Sequence, residues 1–252
     1  MKKILVFILL IGALLSTTGM LAQRMINMPT YDDQPYHFGF ILAVNQMHFV
    51  IDPKENYQFD KYSASSVKDF PMDSSFIYSI EYESQVGFTV GIIGNLRIAR
   101  YWDLRFIPSL SFGERNMMYR FSTYLDSIHS FKSIKKNIPS TFVDLPLLLK
   151  YKSARRDNYR AYLIGGINPR IDLAAQFKRE EATQITQIKL KRFDVYGEIG
   201  VGFDFYFEWF KLGTEIKMSY GLMDMIKQED NIYTNGLDKL SSKVFQLTFS
   251  FE

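Results

Sequence analysis

Phe193-Asp194-Val195-Tyr196-Gly197-Glu198-Ile199-Gly200-Val201-Gly202-Phe203-Asp204-Phe205-Tyr206-Phe207 alternates with a period of two. Phe193, Val195, Ile199, Val201, Phe203, Phe205 and Phe207 fall on one face, together with Gly197. Asp194, Tyr196, Glu198, Gly200, Gly202, Asp204 and Tyr206 fall on the other. Successive side chains of a strand point to opposite faces, so this is a strand with an apolar face and a face of glycine and charge. Residues 210–222 and 244–251 repeat the pattern. Five further stretches read the same way, at about 36–50, 86–98, 103–119, 138–152 and 159–173, which makes eight strands.

The connections between them alternate strictly in length. Residues 51–85, 120–137, 174–190 and 225–241 are long; Arg100-Tyr101-Trp102, 153–158 and Glu208-Trp209 are short. An even number of antiparallel strands, with short turns at one end and long loops at the other, is the pattern of an outer-membrane barrel. The expected fold is therefore all-β, an eight-stranded antiparallel transmembrane barrel, with the termini and short turns facing the periplasm. A soluble ligand-binding barrel is the alternative. It would turn its charge outward, whereas Arg97, Arg105, Asp144, Lys150, Arg160, Arg170, Glu198, Asp204, Glu215 and Lys217 share the glycine-bearing face. Asp144, Arg170, Glu198, Asp204, Glu215 and Lys217 are expected to form a paired network in a narrow lumen, since buried ions persist only when paired.

Composition agrees. The 252 residues include 22 Phe, 16 Tyr and 2 Trp, and no Cys. The absence of Cys excludes disulfides, thiolate metal sites and a Cys nucleophile. A formal charge of +3 is too small for nucleic-acid binding driven by charge. The N-terminus reads as a secretory signal over residues 1–22: Met1-Lys2-Lys3, an apolar run at 4–15, then a small-residue tail ending at Ala22. Residues 23–35 read as an extended periplasmic segment, either a linker or a peptide lying along the barrel mouth, because Asn27, Pro29, Asp32, Asp33 and Pro35 disfavour regular structure. Residues 36–252 are the barrel.

Tyr101, Trp102, Tyr151, Tyr159, Tyr206 and Trp209 cluster at the short-turn end, as an aromatic girdle at one membrane interface would. Phe245, Leu247, Phe249 and Phe251 give the last strand the aromatic character that barrel-assembly machinery commonly reads. Arg97, Arg100, Arg105, Lys150, Lys152, Arg155, Arg156, Arg160 and Lys211 outnumber Asp103, Asp157 and Glu208 at the same end. This basic rim would attract anionic lipid headgroups or dock a periplasmic partner.

The chain offers little for catalysis. Its three histidines, His37, His48 and His129, lie far apart in sequence, and neither a nucleophile elbow nor a phosphate-binding loop is present. His48 with Asp52 is the one arrangement that suggests a barrel enzyme, and a rim histidine hydrogen-bonded to water is the better reading of it. No enzyme, metal or cofactor is expected. Eight strands leave an interior that side chains fill, so a diffusion channel is not expected either.

Several strings carry a resemblance: Asn27-Met28-Pro29-Thr30-Tyr31-Asp32 leading to His37-Phe38-Gly39-Phe40; Gly87-Phe88-Thr89-Val90-Gly91-Ile92 with Asn95-Leu96-Arg97; and Lys150-Tyr151-Lys152-Ser153 with Arg155, Arg156 and Asn158. The most specific is Asp103-Leu104-Arg105-Phe106-Ile107-Pro108-Ser109-Leu110-Ser111-Phe112-Gly113-Glu114-Arg115. Together they resemble the PorT/SprT family of outer-membrane barrels, over nearly all of the chain after the signal. The resemblance implies a non-enzymatic role in type IX secretion, which exports proteins with C-terminal sorting domains and in some bacteria supports gliding. It also implies that other components of that system are partners, beside outer-membrane lipid and the barrel-assembly machinery. A small adhesion or envelope-stability barrel, acting through its long loops, and a barrel enzyme are the alternative functions.

Overall fold

The computed structural model describes residues 26–59, 74–125, 128–174, 188–228 and 232–252. The signal reading at 1–22 lies outside them. Eleven β segments follow in chain order: β1 (Tyr36–Pro53), β2 (Ser74–Ser84), β3 (Val86–Ala99), β4 (Trp102–Phe106), β5 (Ser109–Leu125), β6 (Ile128–Asp144), β7 (Leu147–Lys152), β8 (Tyr159–Asp172), β9 (Phe193–Tyr206), β10 (Lys211–Gly221) and β11 (Leu237–Phe251). Three consecutive pairs, β2 with β3, β4 with β5 and β6 with β7, each run on as one stave, so eight staves result. Every stave pairs antiparallel with its neighbours, and β1 pairs with β11 from Phe40↔Phe251 onward, which closes the ring. The fold is an eight-stranded antiparallel barrel.

Two staves break at proline. Pro108 separates β4 from β5 and Pro146 separates β6 from β7. Proline has no N–H for the ladder, but its carbonyl still accepts: Ile92 N donates to Pro108 O (3.0 Å) and Ile107 N to Pro146 O (3.2 Å). The in–out alternation stays in step across both breaks, with Arg105, Ile107 and Ser109 buried in turn, then Asp144, Pro146 and Leu148.

Strands extend into stretches expected to be loops. β5 and β6 pair continuously to Leu125↔Ile128, so 120–137 is largely a tall hairpin. β2 occupies part of the 51–85 connection, and β11 begins at Leu237. These extensions stand beyond the apolar belt and need no apolar outward face, so Lys132, Lys135 and Lys136 hide the strand pattern of β6. Here the first two staves also part: the β1–β3 ladder ends at Gln46↔Val86, and above it β1 pairs only with β11.

The interior is layered. On β5 the inward residues are Ser109, Ser111, Arg115, Met117, Tyr119 and Phe121, so the lining changes from polar to apolar at Met117. The apolar layer at the long-loop end gathers Phe49, Ile77, Met117, Tyr119, Phe121, Ile138, Ile188, Ile226, Leu237 and Leu240 around Tyr233. Tyr233 comes from a short helix, α1 (Ile232–Asn235), and its carbonyl accepts from Tyr119 Oη (2.9 Å). Outside, Phe40, Leu42, Val44, Ile92, Ile199, Val201, Phe203, Ile216 and Leu247 stay exposed and form a continuous apolar belt. No helix among the described residues is long and apolar enough to cross a membrane.

Candidate functional site: a charged lumen and its plugged mouth

Below the apolar layer, the inward face of glycine and charge becomes a set of ion pairs. Lys150 Nζ lies 2.8 Å from Asp204 and 3.7 Å from the centroid of the Tyr162 ring. Gly202 makes room for that ring: a Cβ there would sit 2.5 Å from Tyr162 Oη. Tyr162 Oη donates to Glu215 (3.1 Å), which also faces Arg105 (3.7 Å). Lys217 meets Glu198 at 2.7 Å, and Asn168 (2.8 Å) and Ser219 (3.0 Å) donate to the other Glu198 oxygen. Arg170 bonds Asp144. Arg115 lies between the rings of Phe49 (4.7 Å) and Phe142 (4.9 Å) and reaches Asp172 (3.1 Å), Ser140 and Ser242. Buried ions persist when they are paired, and these are paired with one another across the lumen.

The mouth at the short-turn end is closed by the chain's own N-proximal segment. A 3₁₀ turn, Tyr31–Asp33, inserts Tyr31, whose ring stacks on His37 (centroids 4.0 Å) and meets Tyr206 edge-on (6.0 Å). His37 Nε2 donates to the Tyr31 carbonyl (2.7 Å), while Tyr31 Oη donates to Glu252 (3.3 Å). Burial, reinforced by the Glu252 and Asp204 carboxylates, pushes the Tyr31 phenol well above its ordinary value. Glu252 accepts from Lys211 (2.8 Å) and from Arg105, and its side chain is fully buried. Asp32 takes Arg160 and Tyr206 Oη (3.1 Å), with Arg155 at 3.9 Å. Arg97 bonds the Asp32 carbonyl, and Arg155 bonds the carbonyls of Asn27 and Met28. Asn27 in turn donates to the Tyr206 carbonyl and the Asn158 side chain (each 2.9 Å).

The expected basic rim therefore needs correction. Arg105, Lys150, Lys152, Arg160 and Lys211 point inward and are buried, each on a carboxylate; Lys152 holds Asp103 at 2.6 Å. Only Arg97, Arg100, Arg155 and Arg156 lie at the surface, and Arg97 and Arg155 hold the plug. The reason is phase, because Lys150 and Lys152 share the inward parity of β7 with Leu148. Tyr206 is likewise inward and buried, and it is not part of a girdle. Tyr101, Trp102, Tyr151, Tyr159 and Trp209 face out at this end, with Trp209 88% exposed.

In the Asp103–Arg115 string, Asp103, Arg105 and Arg115 are interior ion-pair partners and Pro108 is a stave break. Phe106 is exposed, Phe112 stacks on Phe88 (4.8 Å), and Gly113 faces Met47. Phe245, Leu247, Phe249 and Phe251 face outward on β11, with Phe251 stacked on Phe40 (5.0 Å). His48 and Asp52 are not brought together. They are four residues apart on one strand, about 13 Å, and His48 instead packs edge-on against Tyr82 and Phe245. Among the described residues no three His, Asp or Glu gather as a metal-ligand set.

The apolar layer is not legible as such in the sequence, and the insertion of Tyr31 goes beyond the extended segment expected at the mouth. Ile188, Leu190, Ile226, Tyr233, Leu237 and Leu240 are too apolar for solvated loops, and that was the available signal.

A closed ring of eight staves with a charged interior and an apolar exterior defines a transmembrane β-barrel of the outer-membrane class. The chain belongs to the outer membrane protein beta-barrel domain family, whose model matches residues 22–227. Among solved structures, the outer membrane protein OprG from Pseudomonas aeruginosa aligns over 86% of this chain and 95% of its own. Its identity is 13% and its TM-score 0.37, a likeness too loose to transfer any detail. No curated protein matches the sequence.

Proposed function

We propose that this protein is a non-enzymatic outer-membrane component of type IX protein secretion, with its short turns and N-proximal segment toward the periplasm. One observation carries the surface-acting part of this reading: the lumen is filled with ion pairs, plugged by Tyr31 at one end and packed with apolar side chains at the other. A barrel filled in this way works through its surfaces and not as a conduit. The separation of His48 from Asp52 supports a non-enzymatic role. The secretion system itself rests on the resemblance of the quoted strings to the PorT/SprT family. The plug, with Arg97, Arg100, Arg155 and Arg156 around it, is the surface offered to a periplasmic partner, and the aromatic β11 the one offered to barrel assembly. A quantitative secretome of a clean deletion strain and its complemented control tests the proposal. Proteins with C-terminal sorting domains should accumulate in the periplasm on deletion; unchanged export would sink the secretion role.

A further inference from the structure

The segment that closes the short-turn mouth is held there mostly by side chains. Among the described residues its backbone joins the barrel backbone once, next to β1, where Arg97 N donates to Pro35 O (2.9 Å). Its bonds through Asn27, Met28 and Asp32 all involve a side chain on one partner. Thr30 gives the 3₁₀ turn no side-chain cap, and Met28 sits at φ +48°, a left-handed conformation that a non-glycine residue takes at a cost. Release of the segment breaks no strand pairing, because the β1–β3 ladder starts only at Tyr36↔Leu96. That places the segment at the low-stability end of the fold.

The space it fills has a definite chemistry. The Tyr31 ring lies 4.0 Å from the His37 ring, 6.0 Å from the Tyr206 ring and 4.8 Å from Lys211 Nζ. Beside this slot Asp32 bonds Arg160, with Arg155 at 3.9 Å, and Asp33 lies 3.6 Å from Arg97. The inward lysines of the mouth have carboxylates of the barrel itself: Lys150 has Asp204, Lys152 has Asp103 and Lys211 has Glu252. Among the described residues, the only carboxylates on Arg97, Arg155 and Arg160 are those of the segment. Residues 1–25, which precede it, contain no Asp or Glu. Arg155 lies 3.7 Å and Arg160 5.4 Å from the centroid of the Tyr206 ring, and these cation–π contacts do not depend on the segment. An open mouth is therefore an aromatic slot bordered by three arginines that lack a carboxylate.

We propose that Tyr31-Asp32-Asp33 is a placeholder, and that the mouth is a receptor for a peptide segment of a periplasmic partner in which an aromatic residue is followed by carboxylates. The occupant already in the slot is a peptide of that chemistry. A glycan or a lipid headgroup has no ring to fill the space between His37 and Tyr206. A neutral aromatic peptide would leave the three arginines unpaired. The tethered segment competes at about millimolar effective concentration, which keeps the mouth closed to dilute peptides. The inference rests on the reading that this mouth meets a periplasmic partner, and its binding chemistry does not depend on the secretion system.

The test uses the full chain folded in a nonionic detergent, with Tyr31→Ala/Asp32→Ala to loosen the segment. The probe is a fluorescent peptide, Gly-Ser-Gly-Tyr-Asp-Asp-Gly-Ser, read by anisotropy. It should bind saturably, and at least about ten-fold more weakly to the unaltered chain, whose own segment competes. Unlabelled peptides with Tyr-Asn-Asn or Ala-Asp-Asp in the same frame should compete at least about ten-fold less well than the parent peptide. Adding Arg155→Gln/Arg160→Gln should weaken binding by about ten-fold or more. Lys135→Gln, at the opposite end, should leave it unchanged. No saturable binding, equal competition by either altered peptide, equal affinity of the unaltered chain, or unchanged affinity in the arginine pair would each overturn the proposal. Heat-modifiable migration on gels checks the fold of each variant. If a variant does not fold, the competitor series on the unaltered chain, run at higher peptide concentration, still decides. A negative result leaves the secretome prediction untouched, and unchanged export leaves peptide binding at the mouth standing.

Discussion

At the residue scale, stability depends on charges that cannot leave. Lys150 and Asp204 are both almost fully buried and 2.8 Å apart. Lys150→Met strands the Asp204 carboxylate and should cost about 3–5 kcal/mol in equilibrium unfolding from detergent. Lys150→Met combined with Asp204→Leu should recover most of that loss, because no unpaired charge remains. A single variant as stable as the parent would contradict the pairing. Residue types and spacing made the lumen charges legible beforehand. They left open which rim cations belong to the lumen, because a cation one residue from a turn is assigned by strand phase.

At the element scale, the N-proximal segment and the long-loop cap behave as separate latches. Asp32 is the segment's charged anchor, meeting Arg160, Arg155 and Tyr206. The chain has no Cys, so a single Tyr31→Cys reports mouth closure cleanly. It should label slowly with a polar thiol reagent, and adding Asp32→Ala should speed labelling by about ten-fold, the equivalent of one charge-assisted bond. Equal rates would show that Asp32 does not hold the plug.

The cap has its own acid dependence. Asp224 accepts from the backbone N–H groups of Ile226 (3.1 Å) and Leu240 (3.0 Å). Burial alone would raise its carboxyl pKa, but those two donors and Lys191 outweigh burial and hold it below the ordinary value. A depressed folded-state pKa gives stability that is present above the unfolded value, about 4, and lost as pH falls through the folded one. Hydrogen exchange at Ile226 and Leu240 should therefore rise relative to the middle of the barrel staves only below about pH 4. In Asp224→Asn that acid step should be absent.

At the scale of the whole molecule, closure at both ends gives a distinct expectation. The parent protein should show no steady conductance in planar bilayers. Deleting residues 27–34 should leave it non-conducting, because the apolar layer around Tyr233 closes the other end independently. Stable channels from that deletion would place the only barrier at the mouth and refute the two-layer reading.

Period-two alternation, even strand count and alternating loop length determined the barrel from the sequence alone, because a stave in lipid must present apolar side chains outward along its whole length. That constraint is local and is written residue by residue. Beyond the belt the outward face is free to carry lysine, so the tall β5–β6 hairpin left no alternating trace. The plug, the apolar cap and the partner of each buried ion were decided only in three dimensions. They join positions as distant in sequence as Asp32 and Arg160, or Tyr119 and Tyr233, which become neighbours only once the ring has closed.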